Sequence, residues 1–272
     1  MSDGNSPRRL AQYETLALDR PDEHVLRVTL SRPEVANALN TRMGEEMLAV
    51  FDGLCAAPHT ARCVILTGAG VKAFCAGGDL KQRLGMTDAE WQAQHLVFER
   101  MVRAMLACPI PVIAAVNGAA YGGGCEMALA CDFAYAATHA RFAMTEVTLG
   151  IMPGAGGTQM LPRAMGTRRA KELLLTGLPF TAAEALQWGM LNRVCEPAAL
   201  MPTALETAGR IAANAPLSTR QIKQSVTIGI GLDLASALAF EIEAYNRMVP
   251  TEDRREGIAA FNEKRRPMFR GR

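Results

Sequence analysis

The sequence predicts an α/β core followed by a helical extension. Short apolar runs typical of strands alternate with helical patterns over the first two-thirds of the 272 residues. The connections between those runs are long, as parallel strand pairing requires. Beyond Pro153 the patterns are mostly helical. With 49% hydrophobic and 21% charged residues, a chain of this length buries an ample core without a disulfide or metal staple.

Charge and targeting features exclude several classes of function. The 29 basic and 27 acidic residues give a net charge of +2. The electrostatic field of such a charge is too weak to bind a nucleic acid, although the protein could still bind a small anionic ligand. The longest apolar run, from Pro109 to Val116, is far shorter than the ~20 residues that span a bilayer. Residues 1–12 have no secretory pattern and are expected to form a frayed tail.

Cysteine usage indicates a reducing compartment. The seven cysteines form no C-x-x-C pair, and several lie inside apolar runs. We expect buried free thiols and a cytoplasmic protein.

The predicted core begins with β structure. Residues 13–20 and 24–30 alternate apolar and polar side chains across Pro21-Asp22, which predicts a hairpin. An apolar stripe then predicts a helix over residues 41–56 that Asn40 or Thr41 could cap. A buried strand at 62–67, a helix at about 88–107 and a second buried strand at 111–116 follow, so parallel pairing is expected.

The rest of the chain is predicted to be largely helical. A helix begins at the triple glycine at 122–124, and the boundary between core and extension is expected near 197–216. The remaining predicted strands cover 133–137, 141–144 and 192–196, and the helices cover 168–175, 181–188, 201–213, 219–228, 234–247 and 252–265.

Three glycine clusters fall where a strand passes into a helix or loop, at residues 76–79, 122–124 and 153–157. Glycine there lets a ligand approach bare backbone N–H groups. The sequence contains no G-x-x-x-x-G-K-[ST] loop, and residues 68–73 lack the third glycine of a dinucleotide fingerprint. Tight turns without a ligand remain the competing interpretation.

Two acids stand next to these clusters. Glu126 lies among small and apolar residues at a predicted helix start, close to Gly123, and Glu146 precedes the third cluster. Two such carboxylates could divide acid and base catalysis in one pocket. Alternatively, Glu126 only interacts favourably with the positive end of the helix dipole, and Glu146 is an exposed acid at a strand end.

Other catalytic patterns are missing from the sequence. The four histidines, at positions 24, 59, 95 and 139, have no i,i+4 pair and no cysteine at zinc spacing, so we expect surface or loop positions and no metal site. No G-x-S-x-G serine-hydrolase turn occurs.

The motifs together resemble the enoyl-CoA hydratase/isomerase (crotonase) superfamily. They occur in the family's order: SRP at 31–33, NAL at 37–39, AFCAGGDLK at 73–81, PVIAAVNG at 111–118, GGGCE at 122–126, PGAGGTQ at 153–159 and TEDRREG at 251–257. The resemblance implies a crotonase-type (ClpP-like) superhelix of β-β-α units over 13–200, a helical trimerisation region over 201–272, and a homohexamer made of two trimers.

The resemblance also implies an acyl-CoA site. Backbone N–H groups of Gly78 and Gly123 would form an oxyanion hole for the thioester carbonyl. Glu126 as base and Glu146 as acid would add water to the double bond, with the two roles open to exchange, and Gly154 would help to position that water. Coenzyme A enters as part of the substrate, and no metal or redox cofactor is expected.

Further positions are expected to bind coenzyme A or the acyl chain. The expected coenzyme A contacts are Ala36, Ala38, Ala76, Asp79, Leu80 and Lys81, with Phe261 and Lys264 reaching a neighbouring subunit's ligand. Residues 81–94, with Leu84, Met86 and Trp91, are expected to shape the acyl tunnel, although ordinary packing explains them equally well. Glu34, where some relatives have a lysine, leaves the substrate preference open.

The expected activity is hydration of trans-2-enoyl-CoA to 3-hydroxyacyl-CoA. The alternatives are a δ-isomerase or a branched-chain hydratase of the methylglutaconyl-CoA type on the same fold. A non-catalytic acyl-CoA binding subunit conflicts with the acid pair, and an RNA-associated protein conflicts with the low net charge.

Overall fold

A computed structural model of the protein describes residues 8–9 and 13–272, and the remaining residues of the predicted tail lie outside this range. The described strands are β1 (Arg8–Arg9), β2 (Leu16–Asp22), β3 (Val25–Leu30), β4 (Cys63–Gly68), β5 (Ala73–Cys75), β6 (Val112–Val116), β7 (Ala119–Tyr121), β8 (Phe133–Ala137), β9 (Arg141–Ala143), β10 (Phe180–Thr181) and β11 (Arg193–Cys195).

Helices fill the connections and form the C-terminal region. They are α1 (Thr41–Ala56), α2 (Leu80–Arg83), α3 (Asp88–Ala107), α4 (Gly123–Ala130), α5 (Gly157–Met165), α6 (Thr167–Thr176), α7 (Ala182–Gln187), α8 (Pro197–Ala212), α9 (Pro216–Gly229), α10 (Leu234–Met248) and α11 (Glu252–Asn262). Two 3₁₀ turns lie at Pro33–Val35 and Glu146–Leu149. In the described chain no helix combines the length and the apolar character that crossing a membrane would need.

Two sheets organise the core. The larger has the order β1-β2-β3-β4-β6-β8-β11, in which β2 and β3 form the predicted antiparallel hairpin and β3 to β11 run parallel, as expected. The smaller has the order β10-β9-β7-β5. Each strand of the smaller sheet has only two or three residues, which explains why sequence periodicity did not detect β5, β7 and β10.

The central strands are buried on both faces, as their continuous apolar runs predict. On one face, Val64 and Leu66 belong to a core that includes Met47 and Phe51 of α1. On the other face, Ile65 packs in a separate cluster that contains residues of α8. Residue 200, where the sequence-based division falls, therefore lies within a helix that packs on the sheet.

Helix boundaries follow local capping chemistry. Asn40 caps α1 by accepting a bond from the Met43 N–H, which confirms the first of the two predicted caps. Thr87 and Glu90 form a capping box at the start of α3. Both helices begin and end as predicted, because cap and apolar stripe agree there.

All seven cysteines are unpaired and six are buried.

Candidate active site

Two backbone N–H groups within the glycine clusters, those of Gly78 and Gly123, have no partner among the described residues. Around Gly78, the Leu39 N–H donates to the Gly77 carbonyl and the Asp79 N–H donates to the Leu39 carbonyl. This parallel bridge uses the neighbouring groups and leaves the Gly78 N–H free. Gly123 is the first residue of α4, where an N–H has no intrahelical acceptor.

The two turns that carry these N–H groups lie against each other. A Cβ atom on Gly77 would lie 3.6 Å from the Gly123 nitrogen. A Cβ atom on Gly124 would lie within 2.1 Å of the Cys75 carbonyl oxygen, so only glycine permits this approach between β5 and α4. The glycine clusters thus bring the two free N–H groups to the wall of one cavity.

Glu126 lies in the first turn of α4 and is buried. Its Oε1 accepts hydrogen bonds from the Ala155 N–H at 2.9 Å and the Gly157 N–H at 2.8 Å. Burial outweighs these two donors and, with the nearby Glu146 charge, raises the pKa of Glu126 to about 7. The N–H groups of the third glycine cluster therefore bind the side chain of Glu126 and not a ligand.

Glu146 begins the 3₁₀ turn at Glu146–Leu149, and only 9% of its surface is exposed. Its Oε2 is buried and has no hydrogen-bond partner. Burial therefore raises the pKa of Glu146. Glu146 is therefore not the exposed acid that the simpler interpretation of the sequence would make it.

A cavity of about 850 Å³ joins these groups. It is lined by Gly78, Gly123, Glu126, Glu146 and Gly154, the five residues predicted for the oxyanion hole, the acid pair and the positioning of water. Its size is within the range of small-molecule sites. The acids and the free N–H groups face one space, as general acid–base chemistry beside an oxyanion hole requires.

His95 differs from the sequence-based expectation. It is partly exposed, as a surface position predicts, but it lies in α3 and lines the cavity, which the sequence did not predict. A Cβ atom on Gly154 would lie 2.3 Å from Cε1 of the His95 ring. The position was missed because helical spacing alone does not tell which face of α3 closes a cavity.

The predicted coenzyme A residues lie in two groups. Ala76 and Leu80 line the cavity. Ala36 is joined to this group by a hydrogen bond from the Ala76 N–H to its carbonyl, at 3.0 Å. Asp79 caps α2 by accepting from the N–H groups of Lys81 and Gln82, and Lys81 is exposed at the start of that helix.

The remaining expected contacts lie outside the cavity lining. Phe261, in α11, and Lys264, just after it, are exposed and do not line the cavity in this single chain. Of the three residues expected in the acyl tunnel, Trp91 lines the cavity, whereas Leu84 and Met86 do not.

Sequence reasoning missed the role of Arg32. Its Nη1 donates to the Ala38 carbonyl at 2.7 Å and to Asp79 Oδ2 at 2.9 Å. This half-buried ion pair ties the loop of Ala36 and Ala38 to the N-terminus of α2. Arg32 is part of the SRP motif, but nothing in the motif indicates its partner, which lies 47 residues away.

An α/β fold with a cavity that brings two buried carboxylates together with free main-chain N–H groups is typical of an enzyme. The chain belongs to the enoyl-CoA hydratase/isomerase family, whose family model matches residues 20–272. This confirms the resemblance and the crotonase fold expected from the motifs.

Individual relatives agree with this assignment. The chain is 44% identical over 239 residues to the short-chain-enoyl-CoA hydratase of Clostridium acetobutylicum, covering 88% of this chain and 91% of the relative. It is 38% identical over 259 residues to the crotonyl-CoA hydratase of Syntrophomonas wolfei, covering 94% and 98%. The crystal structure of enoyl-CoA hydratase from Bacillus anthracis matches with a TM-score of 0.93 and 42% identity, covering 95% and 100%.

Proposed function

We propose that the protein adds water to a trans-2-enoyl-CoA and so forms a 3-hydroxyacyl-CoA. The observation that carries the proposal is the arrangement of Glu126 and Glu146 on one cavity with the free N–H groups of Gly78 and Gly123. The hydratase names of the relatives support the same reaction. The mechanism uses no metal or redox cofactor, and coenzyme A is part of the substrate.

In the proposed reaction, a water oxygen attacks C3 while one glutamate accepts a proton from that water. The electron pair of the double bond moves toward the thioester, whose oxygen becomes an enolate held by the N–H groups of Gly78 and Gly123. The other glutamate donates a proton to C2. Addition of H and OH is then complete, and the two acids regain their starting states by proton exchange.

We assign Glu126 as the base and Glu146 as the acid, with the two roles open to exchange. The hydrogen bonds favour this order, whereas the rise in the pKa of Glu126 caused by burial and by the charge of Glu146 favours the reverse order. Two backbone donors favour the carboxylate form of Glu126. Glu146 has a buried oxygen without a donor, and this favours the protonated form. Like charges in one cavity disfavour double ionisation, so one shared proton is the resting state in this mechanism. Gly154 would help to position the water.

We also propose that coenzyme A lies along the loop of Ala36 and Ala38 and the segment from Ala76 through Asp79 and Leu80 to Lys81. The supporting observations are the bonds from Ala76 to Ala36 and from Arg32 to Ala38 and Asp79, which make the two segments one surface. The cation of Lys81 suits a phosphate. Replacing Lys81 with Met should raise KM for every acyl-CoA by a similar factor.

A homohexamer with a cytoplasmic role in acyl-CoA metabolism is part of this proposal. Helices α9, α10 and α11 leave apolar side chains exposed around a groove of about 940 Å³, among them Ile222, Val226 and Ile242. Such a surface on a water-soluble fold is typical of a subunit interface. Phe261 and Lys264 would then reach a neighbouring subunit's ligand. Sedimentation of the purified protein as a monomer would contradict this part.

The decisive experiment follows the ultraviolet absorbance of crotonyl-CoA as its conjugated double bond is lost. We expect turnover by the parent protein and a loss of about 10²–10⁴ in kcat for Glu126→Gln and Glu146→Gln. The control is Glu172→Gln, because Glu172 is exposed in α6 and Arg169 is its one ion-pair partner among the described residues. Parental hydration by Glu126→Gln would exclude the paired-acid mechanism.

The same variants test the isomerase alternative. An isomerase needs one acid to move a proton, so Glu126→Gln would keep the conversion of a 3-enoyl-CoA to a 2-enoyl-CoA while hydration stays low even in the parent protein. The branched-chain alternative would appear as hydration of methylglutaconyl-CoA at a much higher kcat/KM than glutaconyl-CoA, which lacks only the methyl branch.

A further inference from the structure

One basic side chain lies in the wall of the cavity next to the oxyanion hole. A Cβ atom on Gly78 would lie 3.3 Å from both Cζ and Nη1 of Arg83, at the end of α2. Arg83 is the one lysine or arginine among the residues that line this cavity in the described chain. Its guanidinium is thus fixed beside the glycine whose N–H would hold the thioester oxygen.

The position of the guanidinium is set by α3. Its Nε donates to Gln94 Oε1 at 2.8 Å, and the Gln94 amide donates in turn to Thr41 Oγ1 and Gln82 Oε1. The guanidinium carbon lies 4.2 Å from the centre of the Trp91 ring. One N–H and one face of the guanidinium are therefore used to orient it.

The other two nitrogens of Arg83 are not used. Nη1 and Nη2 have no hydrogen-bond or ion-pair partner within residues 13–272, although half-burial of the side chain costs hydration and lowers the pKa of the guanidinium. Neither nitrogen is among the buried polar atoms that lack a partner, so both are open to the solvent that fills the cavity. In that position they offer the planar pair of donors that a carboxylate accepts.

The charge of the cavity makes a cation useful for an anionic acyl chain. Glu99, Glu126 and Glu146 line the cavity, so a further carboxylate would meet repulsion there. Arg83 offsets this repulsion. Because its guanidinium lies beside Gly78, a short acyl chain is enough to connect the thioester oxygen to Nη1 and Nη2.

We infer that Arg83 is a specificity-determining residue that binds a carboxylate at the end of a short acyl chain, so that the preferred substrate is the mono-CoA thioester of an unsaturated dicarboxylic acid. This inference rests on the proposed function and names its substrate class. A salt bridge of this kind, formed in a partly dry cavity, favours the charged substrate by about tenfold to a hundredfold.

The test compares two substrates of matched length, trans-2-pentenoyl-CoA and glutaconyl-CoA, in which a carboxylate replaces the terminal methyl. We expect the parent protein to prefer glutaconyl-CoA by at least about tenfold in kcat/KM, and Arg83→Met to lose that preference. Arg83→Lys should keep part of it. Arg100→Met, which removes an exposed charge from α3 without touching the cavity, should keep it in full.

Each failure has its own signature. An equal loss on both substrates in Arg83→Met, as expected if Arg83 bound a phosphate of coenzyme A or only held α2 to α3, would overturn the inference. So would a parent protein that prefers pentenoyl-CoA. If neither substrate turns over, the proposed hydration fails. The contact between Arg83 and a carboxylate can then still be tested by calorimetry. The dissociation constants of the saturated pair glutaryl-CoA and pentanoyl-CoA would be compared in the parent and Arg83→Lys proteins.

Discussion

Glu126 and Gly157 are joined by a hydrogen bond of 2.8 Å from the Gly157 N–H to Oε1, and this bond links the start of α4 to the start of α5. A Cβ atom on Gly157 would lie 3.0 Å from the same oxygen, so the close approach depends on glycine. The bond fixes one oxygen of the carboxylate and leaves Oε2 without a partner in the described chain. A buried acid is thereby oriented toward the cavity at the expense of its hydration.

The first prediction is a bell-shaped pH dependence of kcat/KM for hydration. The active form in the proposed mechanism carries one proton on the pair of acids, so activity should be lost at low pH, where both acids are protonated. Burial and the charge of Glu146 raise the pKa of Glu126 to about 7, and this value marks the loss of the last proton. Activity should therefore also fall as pH rises above about 7. The two apparent pKa values belong to the coupled pair. A rate that stays constant from about pH 7 to about pH 9 would contradict a shared proton in this environment.

The second prediction concerns stability. Because the pKa of Glu126 rises from 4.5 to about 7 on folding, the native state binds more protons than the unfolded state between these values. The stability that protonation supplies is fully present below 4.5 and is lost as pH rises through about 7. Glutamine stays neutral and can accept the same two backbone bonds. Glu126→Gln should therefore raise the free energy of unfolding near pH 8 by up to about 3 kcal/mol.

Urea unfolding at two pH values measures this effect. Near pH 4 the parent and Glu126→Gln proteins should be about equally stable, because the carboxyl is neutral in both states there. Equal stability near pH 8 as well would mean that ionising Glu126 costs the fold nothing. Glu172→Gln, on the exposed face of α6, is the matched control for loss of a carboxylate.

The third prediction tests the proposed oxyanion hole by removing a main-chain donor. Gly123 is the first residue of α4, a position that proline tolerates, and Gly122 before it has φ 50° and ψ −121°. For glycine these angles mirror the extended region that a residue before proline prefers. Gly123→Pro therefore deletes the N–H with little strain and should lower kcat by about 10²–10³.

Gly123→Ala separates the lost donor from the added side chain. Its Cβ would lie 3.7 Å from Leu39 Cδ2, an ordinary contact, and the N–H stays. We expect Gly123→Ala to keep most of the activity and Gly123→Pro to unfold at a similar temperature. Equal kcat values for the two variants would show that the Gly123 N–H does not stabilise the transition state.

Much of the fold could be predicted because local signals agree with it. The helix at 41–56 combines a cap with an apolar stripe, and the strands around Ile65 and Ile113 are continuous apolar runs. By contrast, α5 contains Pro162 and starts in a glycine-rich segment, so the sequence reads as a turn. The N–H of its first residue, Gly157, donates to the Glu126 carboxylate, a contact made across 31 residues that no local pattern shows.

The site also has parts that the sequence predicts and parts that depend on contacts between distant residues. The glycine clusters and the two acids are visible in the sequence, although only the family resemblance joins them into one pocket. The positions of Arg83 and His95 depend on how α3 lies over α2 and over the segment of Gly154, and no local pattern encodes that packing. Their roles therefore require the structure.

The fourth prediction concerns Gly154 and His95. Alanine at 154 would place Cβ 2.3 Å from Cε1 of the His95 ring, so the ring must move into the cavity or the 153–157 turn must shift. Either change displaces the N–H groups of Ala155 and Gly157 that hold Glu126, or narrows the space for water. Gly154→Ala should therefore lower kcat about tenfold or more, because small misplacements of catalytic groups are costly.

His95→Ala in the same chain removes the clash, and the double variant should recover to the kcat of His95→Ala alone. A double variant as slow as Gly154→Ala would mean that the glycine acts by another route than leaving room for His95.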